Sequence, residues 1–298
     1  MDLENSEYTE ETRNLLREAK GNWDVFTLAK AREMAAAARD WEAALTDVER
    51  PWLCWNVDED WCRIQQRLVR TVGWTPVVGG DPRSGTPPLE AGSIAIDFNA
   101  RFNYPIMHFL FPIEFAHFFT RKIAFWHSDL VVRKPVMQQL ARTFDTLPDG
   151  ATAAVDVRRP WYKRWNGQRG RFWELAGCTT AGASRDQFEK GAGWWRNIWR
   201  HPNCPGHLRS KLQRRYDYDH GAGILAWHEV HGGRVVPLSH DLVEEGHCTR
   251  VSNPNYERQS PQDDRRDLSK DLSHNFDLRE VCQRLEIDDL LPSMPEFS

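Results

Sequence analysis

Residues 51–82 read PWLCWNVDEDWCRIQQRLVRTVGWTPVVGGDP. PWLCWNVD is a short apolar run that ends in polar residues. In the next segment Trp61, Ile64, Leu68 and Val72 recur at the three- and four-residue spacing of one helix face, and TPVVGG is a second apolar run closed by Gly and Pro. The pattern predicts strand, helix, strand, the unit from which parallel α/β sheets are built.

Downstream, residues 80–92 form a loop rich in Gly and Pro, and GSIAIDFN (92–99) reads as a further short strand. NYPIMHFLFPIEFAHFFTR (103–121) carries apolar residues on nearly every face, which predicts a buried helix kinked at Pro112. KIAFWHSDLVV (122–132) reads as a strand interrupted by three polar residues. RKPVMQQLARTFDTL (133–147) follows as a helix with Pro135 in its first turn, then PDGATAAVDVR (148–158) as a turn and strand. The expected fold class is α/β, a mixed, mostly parallel sheet flanked by helices.

Three regions are expected. Residues 1–48 form an N-terminal helical extension, 49–254 the α/β domain, and 255–298 a polar C-terminal tail whose amphipathic segment LREVCQRLEIDDLL packs back as a docking helix.

The 298 residues are 40% hydrophobic, enough for a sizeable core, and the formal net charge of −4 gives no global drive toward nucleic acid or an anionic membrane. No apolar run approaches the roughly 18 residues of a membrane span, and MDLENSEYTEETRNLL is acidic where an export signal is basic and then apolar. Cys54, Cys62, Cys178, Cys204, Cys248 and Cys282 include no CxxC pair and read as reduced core fillers. Together these features predict a cytoplasmic protein without a transmembrane segment.

Chemistry is expected at the HSD triplet, because ligands of parallel sheets bind where strand tips and loops converge. If the backbone stays extended, His127 and Asp129 point to the same side, an oxygen and a nitrogen able to share a divalent cation. Three later signals follow in order. ELAGCTTAGASRDQFEKGAGWW (174–195) has small residues ahead of a helix-like stretch. In YDYDH (216–220), Asp217, Asp219 and His220 precede a helical stretch, Gly232 and Gly233, and the strand RVVPL. His247 sits in EEGHC. His228 and His231 stand three apart, not the four of a zinc-protease helix, and read as packing or surface histidines. RRPWYKRWNGQRGR (158–171) is the most basic segment, with aromatic residues interleaved.

The ordered set FWHSDLVV (125–132), AGCTTAGASRDQF (176–188), YDYDHGAGILAWHEVHGGRVVPL (216–238) and EEGHC (244–248) resembles the glycosyltransferases of the GT-A fold, over roughly residues 51–250. The resemblance implies a GT-A-like, Rossmann-like domain with a DxD-like metal motif, here with His127 in place of the first Asp. Asp129 and His127 would hold Mn²⁺ or Mg²⁺ with His247, and 176–188 would line the donor sugar. Asn56 and Asp58 would meet the nucleotide, and Arg185, or alternatively the loop around Arg158, Arg159 and Lys163, would add charge near phosphate. Asp219, or alternatively Asp217, would deprotonate the acceptor. The implied activity is transfer of a sugar from a nucleotide-diphosphate sugar to a hydroxyl of a glycan or other acceptor (a hexosyltransferase-like enzyme). The competing readings are a non-catalytic relative that binds a nucleotide or glycan, and a metal-dependent hydrolase using His127, Asp129, Asp219 and His220.

Overall fold

The computed structural model describes residues 31–80, 84–85, 88–102, 107, 109–158, 162, 169–194, 221–248 and 277–291. Asp217, Asp219, His220, Arg159, Lys163 and Cys204 lie outside them, as do most of the N-terminal extension and the polar part of the tail.

The strand, helix, strand unit forms as expected: β1 (Pro51–Asn56), α2 (Glu59–Thr71) and β2 (Thr75–Gly80), preceded by α1 (Ala31–Ala44). Helix α2 starts where it does because Asp58 Oδ1 accepts the N–H groups of Asp60 and Trp61 at 3.1 and 3.2 Å, a side-chain N-cap. The chain continues through β3 (Ile94–Ala95), α3 (Leu110–Glu114), β4 (Lys122–Trp126), α4 (Lys134–Asp145), β5 (Ala151–Asp156), β6 (Phe172–Thr180), α5 (Ala181–Glu189), α6 (Ala222–His231), β7 (Arg234–Ser239) and α7 (Leu278–Arg284). The strands make one seven-stranded sheet in the order β3-β2-β1-β4-β6-β5-β7. Strand pairing is parallel except on both sides of β6, so β6 alone runs against the others. The carboxyl ends of six strands, and the beginning of β6, therefore share one edge.

Both faces of the sheet are covered, which is why the strands read as continuous apolar runs. Leu53, Trp55, Ile123 and Phe125 point to the face packed by α1, α3 and α6, with Trp41, Leu110, Phe111 and Trp227. Their neighbours Trp52, Cys54, Ala124 and Trp126 point to the face packed by α2, α4 and α7, with Ile64, Leu68, Met137, Phe144 and Cys282. Gly177 is required by this packing: a Cβ there would sit 2.5 Å from the Ala153 carbonyl oxygen and 2.6 Å from the Phe125 ring.

Two expectations change. The segment 103–121 is not one long buried helix: the helical turns among its described residues are the five-residue α3 and a 3-10 turn at Ala116–Phe118. The strand at 122–132 stops at Trp126, and the apolar residues after HSD do not continue it. Among the described residues, no helix is long and apolar enough to cross a membrane.

Candidate metal centre

Past Trp126 the chain turns instead of staying extended, with the N–H of Leu130 donating to the His127 carbonyl at 3.2 Å. The side chain of Gln65, on α2 and buried, fastens this turn: its amide donates to the carbonyls of His127 at 2.6 Å and Leu130 at 2.8 Å. Leu130 to Val132 then meet a different partner. Leu130 bridges antiparallel to His247, the N–H of Val131 donates to the Gly246 carbonyl at 3.2 Å, and the N–H of Cys248 donates to the Asp129 carbonyl at 3.0 Å.

The turn and this pairing bring together the three residues read from sequence as metal ligands. His127 Nδ1 and His247 Nε2 each lie 3.5 Å from Asp129 Oδ1. One ligand atom from each of His127, Asp129 and His247 falls within 4.8 Å of the others. The side chains are 20%, 16% and 10% exposed, shielded yet reachable from solvent.

Around the triad stand residues not expected from the motifs. Glu174, at the start of β6 and only 2% exposed, puts Oε1 3.2 Å from His127 Nε2. Trp173 lies edge-to-face with His127 and His247, ring centroids 6.0 and 5.1 Å away, and stacks on His240 at 5.7 Å. Phe109 packs against His127 at 5.4 Å. A signal for Glu174 exists in FWELAGCTT, where a single carboxylate interrupts an apolar strand as HSD interrupts β4.

The charges are strongly coupled. Burial opposes charging His127, but its contacts with Asp129 and Glu174 outweigh that and raise its pKa to about 9. Burial likewise opposes ionising Asp129, yet His127 and His247 hold it well below the usual carboxylate range.

Of the other predicted site residues, Asn56, Asp58, Arg158 and Arg185 are among those described. Asn56 and Asp58 lie at the same sheet edge, at the end of β1 beside β4; Asn56 is fully buried and donates to the Ser84 carbonyl at 3.4 Å, while Asp58 caps α2. Arg185 is not brought to the triad. It is on α5, which begins after Thr180, and Thr180 pairs with Lys122 at the opposite end of β4; its charge faces His117. Ala176 to Thr180, expected to line a sugar, are buried strand residues. Arg158 is engaged by Asp156 at 2.5 Å and lies over the Phe172 ring. Asp217 and Asp219 lie outside the described residues; at Gly221, just after them, a Cβ would lie 1.7 Å from the Phe172 carbonyl oxygen.

No protein-family profile, curated protein or solved structure matches the chain.

His228 behaves as a packing residue, with Nδ1 2.8 Å from the Gly233 carbonyl oxygen. The five described cysteines are free and buried, and burial pushes Cys62 up to about 12 and Cys248 and Cys282 up to about 11. A second group, His240, Asp241 and Glu244, is mostly exposed and has no comparable enclosure.

The donor chemistry of the triad fits a divalent ion. Two imidazole nitrogens and one carboxylate oxygen suit Mn²⁺, Fe²⁺, Co²⁺ or Zn²⁺ better than Mg²⁺ or Ca²⁺, which prefer all-oxygen shells.

Proposed function

We propose that this chain is a metal-dependent glycosyltransferase of the GT-A type, using a nucleotide-diphosphate sugar as donor and a hydroxyl group as acceptor. The observation that carries the reading is the meeting of His127, Asp129 and His247 at the carboxyl tip of β4. The DxD-like motif and the late histidine of the sequence resemblance are far apart in the chain, yet they converge on one oxygen atom. A mostly parallel sheet with Asn56 and Asp58 on the same edge is compatible with a nucleotide lying there.

His127, Asp129 and His247 would hold the ion, which supplies positive charge against the diphosphate as it leaves. Two imidazoles in the shell favour manganese over magnesium. Trp173 and Phe109 wall the triad and restrict water around it. Asp219, with Asp217 as the alternative, would take the proton from the acceptor hydroxyl if the anomeric centre inverts.

The same donor set, two imidazoles and a carboxylate, would also serve a metal-dependent hydrolase. Thermal shift separates the readings. UDP or GDP that stabilises the protein only with Mn²⁺ supports the transferase; stabilisation by nucleotide regardless of metal supports a non-catalytic binder; a response to Mn²⁺ alone, unchanged by nucleotide, supports the hydrolase. Asp129→Ala is expected to fold and to lose both the manganese response and sugar transfer, and a fully active variant would overturn the proposal.

A further inference from the structure

Glu174 is almost sealed from solvent beside a triad that is not. A carboxylate in a core position demands partners, and one of them is the ring of His127. An imidazole has two distinct nitrogens, one free to give its lone pair to an ion and one to carry a proton. In His127 the atom facing Asp129 Oδ1, the oxygen also approached by His247, is Nδ1 at 3.5 Å, while Nε2 is turned toward Glu174 Oε1 at 3.2 Å. Phe109 and Trp173, both edge-to-face with the ring, oppose its rotation.

We propose that Glu174 is a positioning residue of this centre: it accepts the Nε2–H of His127, fixes the ring's tautomer and orientation, and so presents Nδ1 as the atom that binds a divalent cation together with Asp129 and His247. The inference rests on the metal-centre reading above and adds which nitrogen binds and what holds it there. Carboxylate groups behind ligating histidines commonly act in this way.

The test uses the full-length protein with Mn²⁺ and Zn²⁺ alone. Titration calorimetry should show Glu174→Ala binding Mn²⁺ about 10–100-fold more weakly than wild type. Glu174→Gln, whose amide oxygen still accepts from Nε2–H, should retain most of the affinity. Long-range proton–nitrogen spectra of the zinc-loaded wild type should show His127 bound through Nδ1 with hydrogen on Nε2, a signature that loss of packing alone does not mimic. Binding through Nε2, equal losses in the Gln and Ala variants, or unchanged affinity in Glu174→Ala would each overturn the role given to Glu174. If instead His127→Ala and Asp129→Ala bind Mn²⁺ as wild type does, the metal-centre reading itself fails and this inference with it.

Discussion

Asp129 is joined to His247 at two levels: its carboxylate Oδ1 stands 3.5 Å from His247 Nε2, and its carbonyl accepts the N–H of the next residue, Cys248, at 3.0 Å. The backbone bond sets the distance and the side chains occupy it. A site built this way keeps its geometry when a single side chain is removed, because the pairing of 129–131 with 246–248 does not depend on the imidazole.

His247→Ala is therefore expected to fold with an unchanged circular dichroism spectrum while losing metal. On the proposed reading of the centre one of three protein ligands is gone, so the loss of Mn²⁺ affinity should exceed the roughly 10–100-fold typical of a missing supporting partner. Calorimetric titration of Mn²⁺ into the variant checks this, and wild-type affinity would remove His247 from the centre.

Gln65 carries a different kind of load. Its amide satisfies two carbonyls of the HSD turn from inside the core, at 2.6 and 2.8 Å. Gln65→Leu keeps the volume and deletes both donors, leaving two acceptors without this partner. The expected cost is about 1–3 kcal/mol, the penalty for the buried Leu130 carbonyl, because the His127 carbonyl keeps the N–H of Leu130. Urea denaturation measures it, and a variant within about 0.5 kcal/mol of wild type would mean the turn holds without Gln65.

What was legible in the sequence follows from where burial is two-sided. Strands β1, β4 and β5 are apolar on both faces, so they stand out as runs, and Trp61, Ile64 and Leu68 set the phase of α2 against one face of the sheet. The segment around Leu110 to Phe115 is buried on all sides, so apolar residues there carry no period and cannot distinguish a long helix from short turns. For the site, His127 and Asp129 were legible as a polar break in an apolar run, whereas His247, in the polar stretch EEGHC, was singled out only by the order of motifs in the family resemblance. The local reason was not legible: an extended backbone was expected, and a turn held by Gln65 achieves the same convergence. Arg185 shows the converse limit, because the reversed direction of β6 carries the helix after it to the far edge, and strand direction is not written in composition.

At that far edge His117 supplies a pH dependence independent of the candidate metal centre. Burial, reinforced by the nearby Arg185 charge, lowers its pKa to about 4, and Nδ1 lies 2.8 Å from Ser184 Oγ. In the unfolded chain the group titrates near its ordinary value of 6.5. Between these values the unfolded chain binds the proton and the folded one does not, so stability is full above about pH 6.5 and falls as pH drops toward about 4. Allowing for partial solvent contact, the loss should be about 2 kcal/mol, against about 1.4 kcal/mol per pKa unit for a fully sheltered group. Urea midpoints of wild type and His117→Gln at pH 7 and pH 4.5 isolate this contribution; if the two proteins lose stability equally, His117 is not its source.

The loop that carries His247 depends on a glycine and on the C-terminal helix together. A Cβ at Gly246 would lie 1.7 Å from the Val131 carbonyl oxygen, a backbone atom that cannot swing away, and 3.3 Å from the Leu285 side chain. Leu285, which follows α7, is buried, and Arg284 donates to the Glu245 carbonyl at 3.2 Å, so α7 presses this loop onto the 129–131 segment. Gly246→Ala should force the two backbones apart and move His247 out of reach of Asp129, lowering both stability and Mn²⁺ affinity. Leu285→Ala, by contrast, leaves the backbone pairing intact and removes packing behind it. It should cost about 2–5 kcal/mol in urea denaturation, with a smaller change in Mn²⁺ affinity than Gly246→Ala. The reverse ranking of the two affinities would mean that α7, and not the close approach at Gly246, sets the position of His247.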